Sequence, residues 1–238
     1  MIMLTRLFTR SGCTLLLTLI FAGISLAHTD NETTLFPDIA EHEARYDILM
    51  LAAMGIIPES DKFQPENVLP RRELAVWGML AARQGVLTET DSEQLAELAL
   101  RQNIIESLEG SASYDDINNV LFHGSLAPEQ GNANPSRAEA VSFIVANLER
   151  EITGGSLLSK LGMQRGPAGK VEKVESKMNP DGSSTFYVTI AGIKIPFYSH
   201  GKVANGPVDV GQWQNREIAR SVIREISGFK LWVYLEAK

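Results

Sequence analysis

Tyr46-Asp-Ile-Leu-Met-Leu-Ala-Ala-Met-Gly-Ile-Ile-Pro58, followed after a polar loop by Pro70-Arg-Arg-Glu-Leu74, is the stretch on which the fold turns. Tyr46, Leu49, Met50 and Ala53 recur at helical spacing. Gly55 stands where a helix closes on a left-handed residue, so the helix is expected to stop there. Pro58 and Pro65 bracket a turn-rich loop, Glu59 to Gln64, and Pro70 suits the first turn of a second helix with Leu74, Trp77, Gly78 and Ala81 on one face. Helix, glycine stop, loop and helix make one compact unit.

Working towards the C-terminus, Ser92 to Ile105 predicts a third amphipathic helix. Its end, Leu100-Arg-Gln-Asn-Ile-Ile-Glu-Ser107, echoes Ala52-Ala-Met-Gly-Ile-Ile-Pro-Glu59, with Asn103 in the place of Gly55; Asn is the residue that tolerates a left-handed cap next best. A short helix after Asp115 and Asp116 ends near Gly124. Ser136 then caps another, with Glu139 at the capping-box position and Val141, Ile144, Val145 and Leu148 as its buried stripe. Residues 28–150 read as a helical array with one complete unit and one degenerate copy.

Upstream, residues 1–27 contain Arg6 and Arg10 but no acidic residue, run apolar from Thr14 to Leu26 and end in Ser25-Leu26-Ala27. This is the pattern of a secretory signal peptide cleaved after Ala27, which predicts an exported protein of the periplasm or cell envelope with no membrane span left after processing. Of the 22 basic residues the signal takes two, leaving 20 against 29 acidic, a formal charge of −9. It also takes Cys13, the only cysteine, so no disulfide is available and stability rests on packing. An acidic chain without a basic cluster argues against nucleic acid as a partner.

Downstream, five glycines and a proline between residues 152 and 169 predict a linker, 151–169. Lys170 to Lys177, Thr185 to Ile190, Ile193 to Tyr198 and Phe229 to Glu236 alternate as strands, with hairpin turns at Asn179-Pro-Asp-Gly182 and Ala191-Gly192. Trp213 to Ser227 reads as a helix with Ile218, Val222, Ile223 and Ile226 inward, closed by Gly228. Residues 170–238 are thus expected to form a small α+β domain in β-β-β-α-β order, and the fold class is α+β.

The ordered set Phe36-Pro-Asp-Ile39, Met54-Gly55-Ile56-Ile57 and Arg71-Arg-Glu-Leu-Ala75, answered by Tyr114-Asp-Asp-Ile117, Phe122-His-Gly124 and Ser136-Arg-Ala-Glu-Ala140, resembles the S-layer homology module. That family tethers secreted bacterial proteins to cell-wall polymers, commonly with three modules about a pseudo-threefold axis. The resemblance implies a non-enzymatic envelope protein that binds peptidoglycan or an attached anionic polysaccharide. It implies ligand roles for Arg71 and Arg137, which take the arginine position of the family's Thr-Arg-Ala-Glu motif, and motif roles for Asp38, Gly55, Glu73, Gly124 and Glu139. Physically, a guanidinium at a helix N-terminus suits a carboxylate ligand. Here Pro70 replaces the capping Thr, and Glu43 follows His42 where the family has Trp.

Nothing in the residues calls for a cofactor. His28, His42, His123 and His200 lack metal-ligand spacing, and no Gly-x-Ser-x-Gly or phosphate-cradling loop appears. Trp77 is expected in the core; one of Trp213 and Trp232 could line an exposed face, with core packing the favoured reading for both. The competing reading is a periplasmic protein-interaction or inhibitor protein using an edge strand, Ile193 to Tyr198, to bind an envelope protein; a wall-targeted hydrolase ranks third.

Overall fold

A computed structural model describes residues 29–82, 91–129, 131–180 and 182–238, so the segment expected to be a signal peptide, with its expected cleavage after Ala27, lies outside the described residues. After a 3-10 turn at Pro37–Ile39 come α1 (Arg45–Ala53), α2 (Arg71–Ala82), α3 (Ser92–Arg101), α4 (Tyr114–Phe122), α5 (Arg137–Asn147) and α6 (Leu157–Lys160). Six strands follow: β1 (Met163–Arg165), β2 (Gly169–Met178), β3 (Ser184–Ile190), β4 (Ile193–Ala204), β5 (Glu217–Ile226) and β6 (Phe229–Ala237). Helices and a mixed sheet together make the chain α+β.

The left-handed stops fall where the sequence puts them, at Gly55 (φ 73°) and Asn103 (φ 55°), and α4 ends near Gly124 as expected, with His123 (φ 53°) as its left-handed cap. Helix α1 differs from the expected one-sided helix. Ile48, Leu49, Met50, Leu51 and Ala52 are all buried, because α5 packs on one side of α1 and strands β4 and β6 on the other. Between α2 and α4 the approach is close: a Cβ on Gly78 would sit 2.4 Å from Val120 Cγ1 and 3.1 Å from Ile104 Cγ2. A helical Gly→Ala change gains up to about 1 kcal/mol, whereas overpacking costs about 1–3 kcal/mol. Gly78→Ala is therefore expected to destabilise by about 1–2 kcal/mol, read as a lowered Tm in calorimetry, with Val120→Ala in the same chain restoring part of the loss. A raised Tm in the single variant would contradict this close approach.

The C-terminal half departs from expectation in three ways. Residues 151–169 are not a bare linker: they carry α6 and β1, and Leu157, Leu158, Leu161 and Met163 are buried in the same core as the helices. That core also takes in Ala204, Val222, Val233 and Tyr234, so the two halves are joined by packed apolar surface. Second, the helix expected over Trp213 to Ser227 is strand β5, preceded by a 3-10 turn at Val210–Gln212. Its apolar residues serve both faces of the sheet, Val222 towards the helices and Ile218 and Ile223 into the barrel. A strand buried on both faces has no alternation to distinguish it from a helix, and its β-branched residues favour the strand. Third, β4 lies between β3 and β6, so the expected edge segment Ile193 to Tyr198 is open only in part: residues 193–196 pair with β3 alone, and the pairing with β6 begins at Phe197.

Strand order is β1-β5-β2-β3-β4-β6, and β5 pairs β6 as well, which closes β2-β3-β4-β6-β5 into a ring. Every pair in that ring is antiparallel except β4–β6. This is the connectivity of an OB-type Greek-key barrel. Trp213 and Trp232, both fully buried, fill it with Val188, Ile190 and Leu235, so neither lines an exposed face. In the β5–β6 pairing, Val222 faces Tyr234 and Ile223 faces Trp232, leaving Val233 as a bulge. The bulge turns two consecutive residues, Val233 and Tyr234, out of the barrel and onto the helices.

Candidate functional site

The segments that lead into α2, α4 and α5 meet and hydrogen-bond in a cycle. Leu69 N–H donates to Pro135 O (3.1 Å) and Arg137 N–H to Asn67 O (2.8 Å). Ala112 N–H donates to Leu69 O (2.8 Å), Arg71 N–H to Gly110 O (3.0 Å), and Tyr114 N–H and Asp115 N–H to Ala133 O and Gly131 O (3.1 and 2.8 Å). Three helix N-termini, each the positive end of a dipole, therefore converge.

Side chains repeat this cycle. The first residue of each helix faces the third residue of the next. Arg137 of α5 bonds Glu73 of α2, with Nε and Nη2 at 2.7 and 2.5 Å from Oε2. Arg71 of α2 places Nε 3.1 Å from Asp116 Oδ2 at the start of α4. The third joint sets Tyr114 of α4 beside Glu139 of α5, and there the arginine is missing.

Local chemistry explains where each carboxylate points. Ser113 and Ser136 cap α4 and α5, and Asp116 and Glu139 accept the Ser113 and Ser136 N–H in return, at 2.8 and 2.7 Å. Pro70 has no N–H to offer, so Glu73 has no capping box to close and its carboxylate goes to Arg137. Burial raises the Glu73 carboxyl above its ordinary 4.5, and the Arg137 guanidinium works against that rise.

The two expected ligand arginines are thus braces between helices. Arg137 also donates to Phe63 O and Gln64 Oε1, and its side chain is only 16% exposed. Arg71 is more open, at 35%, and among the described residues its side chain makes only the Nε contact. Asp38 accepts the Phe63 and Gln64 N–H at 2.9 and 2.7 Å, tying the first turn to the loop before α2. Tyr114-Asp-Asp-Ile117, matched in sequence to Phe36-Pro-Asp-Ile39, instead begins a capped helix like α5, whereas Phe36 leads into a 3-10 turn.

A groove of about 430 Å³ opens beside the α5–α2 joint, lined among others by Ile57, Lys62, Phe63, Arg72, Glu93 and Arg137. Sequence reasoning missed Lys62, which belongs to no motif, and Arg72, which stands inside Pro70-Arg-Arg-Glu73 where the family's motif has Ala. Arg72 pairs with Glu93 across the rim. Lys62 is exposed and makes no ion pair among the described residues. Three cations face Glu73 and Glu93 there, an excess of positive charge on an acidic protein. Among the described residues no group of three or more His, Cys, Asp or Glu is placed to hold a metal, and no helix is long and apolar enough to cross a membrane.

Compared with known proteins, the chain matches no protein-family model, no curated protein and no solved structure.

Proposed function

We propose that this is a non-enzymatic envelope protein whose helical half binds an acidic group of a cell-wall polymer, peptidoglycan or an attached anionic polysaccharide, in the groove at the α5–α2 joint. The reading rests on the positive groove set against three converging helix N-termini. Lys62 and Arg72 are the side chains free enough to reach a ligand; Arg137 forms the floor, and Arg71 offers its outer N–H groups at the next joint. The resemblance to S-layer homology modules points to the same chemistry. The OB-type connectivity of the barrel assigns it no ligand by itself.

The test is co-sedimentation of the exported chain with sacculi, with and without acid-labile polymer. Lys62→Ala with Arg72→Ala is expected to weaken binding about tenfold or more, because two charge-assisted contacts worth at least about 1.4 kcal/mol together are lost. A charge-matched control, Lys173→Ala with Lys230→Ala on the barrel, is expected to pellet as the parent does. Equal pelleting of both double variants would remove the groove as the site.

A further inference from the structure

At each joint the first residue of a helix donates its N–H to the segment that enters the next, and the third joint differs from the other two in charge and in having the Asn134 side chain where they have a backbone bond to complete the pair. At two of them the chain supplies its own guanidinium to the carboxylate of the next helix, Arg137 to Glu73 and Arg71 to Asp116. At the third, Tyr114 occupies the arginine position, and a groove of about 420 Å³ lies open there, lined by Tyr114, Pro128, Glu129, Glu139, Ser142 and Phe143. Two carboxylates face it and, among the described residues, no basic side chain does. Glu139 gives one oxygen to the Ser136 N–H, and Glu129 makes no ion pair among the described residues.

We propose that this groove receives an arginine side chain from a partner protein, which completes in trans the contact the other two joints make within the chain. Four features support that occupant. The fold itself places a guanidinium at the two equivalent positions. The walls are aromatic: Tyr114 and Phe143 meet edge to face with centroids 5.2 Å apart, and a flat guanidinium stacks on such rings while forking onto a carboxylate. Tyr114 remains a neutral phenol, because burial and then the Glu139 charge raise its pKa above 10, so it does not add a competing anion. Apolar lining and two separated carboxylates suit an organic cation better than a hydrated metal ion, which calls for more oxygen ligands. This site differs in place and sign from the wall-binding groove, and its partner is basic where the wall ligand is acidic.

The experiment titrates the full exported chain with three capped tripeptides, Gly-Arg-Gly and its lysine and citrulline counterparts, followed by NMR. The arginine peptide is expected to shift Tyr114, Phe143 and Glu139 saturably with a dissociation constant on the order of millimolar, and the citrulline peptide, isosteric but uncharged, to leave them unmoved. Tyr114→Arg restores the guanidinium within the chain and is expected to fold with unchanged or higher Tm, to lose the peptide response and to pellet with sacculi as before. Glu139→Gln keeps the capping box and is expected to weaken the arginine peptide about tenfold, so the test does not depend on one variant folding. Equal binding of the lysine peptide would overturn the assignment to guanidinium; binding of the citrulline peptide, or an undiminished response in Tyr114→Arg, would overturn the site.

Discussion

Lys202→Met is expected to lower the unfolding free energy by about 3 kcal/mol, read from urea denaturation with the slope unchanged. Lys202 on β4 is 2% exposed, and its ammonium lies 2.7 Å from both Asp30 Oδ2 and Glu59 Oε1. The three residues come from the start of the described chain, the loop after α1 and the barrel, so one cation joins all three. Methionine fills much the same volume but leaves Asp30, itself 8% exposed, with its ammonium partner gone. Breaking a buried pair costs about 3–5 kcal/mol because the remaining charge cannot regain water. The low end applies because the segment at Asp30 can peel from β4. Glu59 is 52% exposed and rehydrates, so Glu59→Gln is expected to cost under about 1 kcal/mol. Equal losses in the two variants would mean that Asp30 does not depend on Lys202.

The second large effect is at the joint of α5 with α2. Arg137→Ala is expected to cost about 2–3 kcal/mol, since it removes the guanidinium partner of the mostly buried Glu73 together with the bonds to Phe63 O and Gln64. Arg71→Ala is expected to cost under about 1 kcal/mol, because Arg71 is 35% exposed and Asp116 keeps its bonds to Ser113. The sign with pH follows from Glu73. Its folded pKa is raised, so its contribution to stability is present at low pH and is lost as pH rises through that folded value. Arg137 holds the rise in check, and removing it moves the folded pKa further up. The penalty of Arg137→Ala is therefore expected to be largest near pH 7 and to shrink on acidification to about pH 4.5. Denaturation of parent and variant at the two pH values measures this, and an equal penalty at both would exclude Glu73 as its source.

The helical half was largely legible because its signals are local. Gly55 and Asn103 mark left-handed stops, and Ser136 with Glu139 marks a helix start wherever that segment folds. Ser113 and Asp116 carry the same three-residue signal, which the likeness of Tyr114-Asp-Asp-Ile117 to Phe36-Pro-Asp-Ile39 hides. The hairpin turns were legible for the same local reason. Strand β5 was not, because its inward and outward residues are both apolar once the barrel docks on α1. Nor were α6 and β1, which at four and three residues are too short to show a periodicity. The arginines at the candidate site could be named from the motif, but their carboxylate partners lie 45 and 64 positions away in sequence, and no spacing rule reaches that far.

The shared burial of α1 also sets an order of events. The cycle of helix entries can close once residue 137 has emerged, but the barrel cannot close until β6, the last strand, pairs with β4 and β5. Asp30, near the start, bridges Lys202 across 172 positions. In a vectorially made chain, Ile48, Leu49, Met50 and Leu51 thus lack their covering sheet until β6 has been made. A chain cut short before β6 leaves that apolar face bare, so its expected fate is aggregation rather than a smaller working protein.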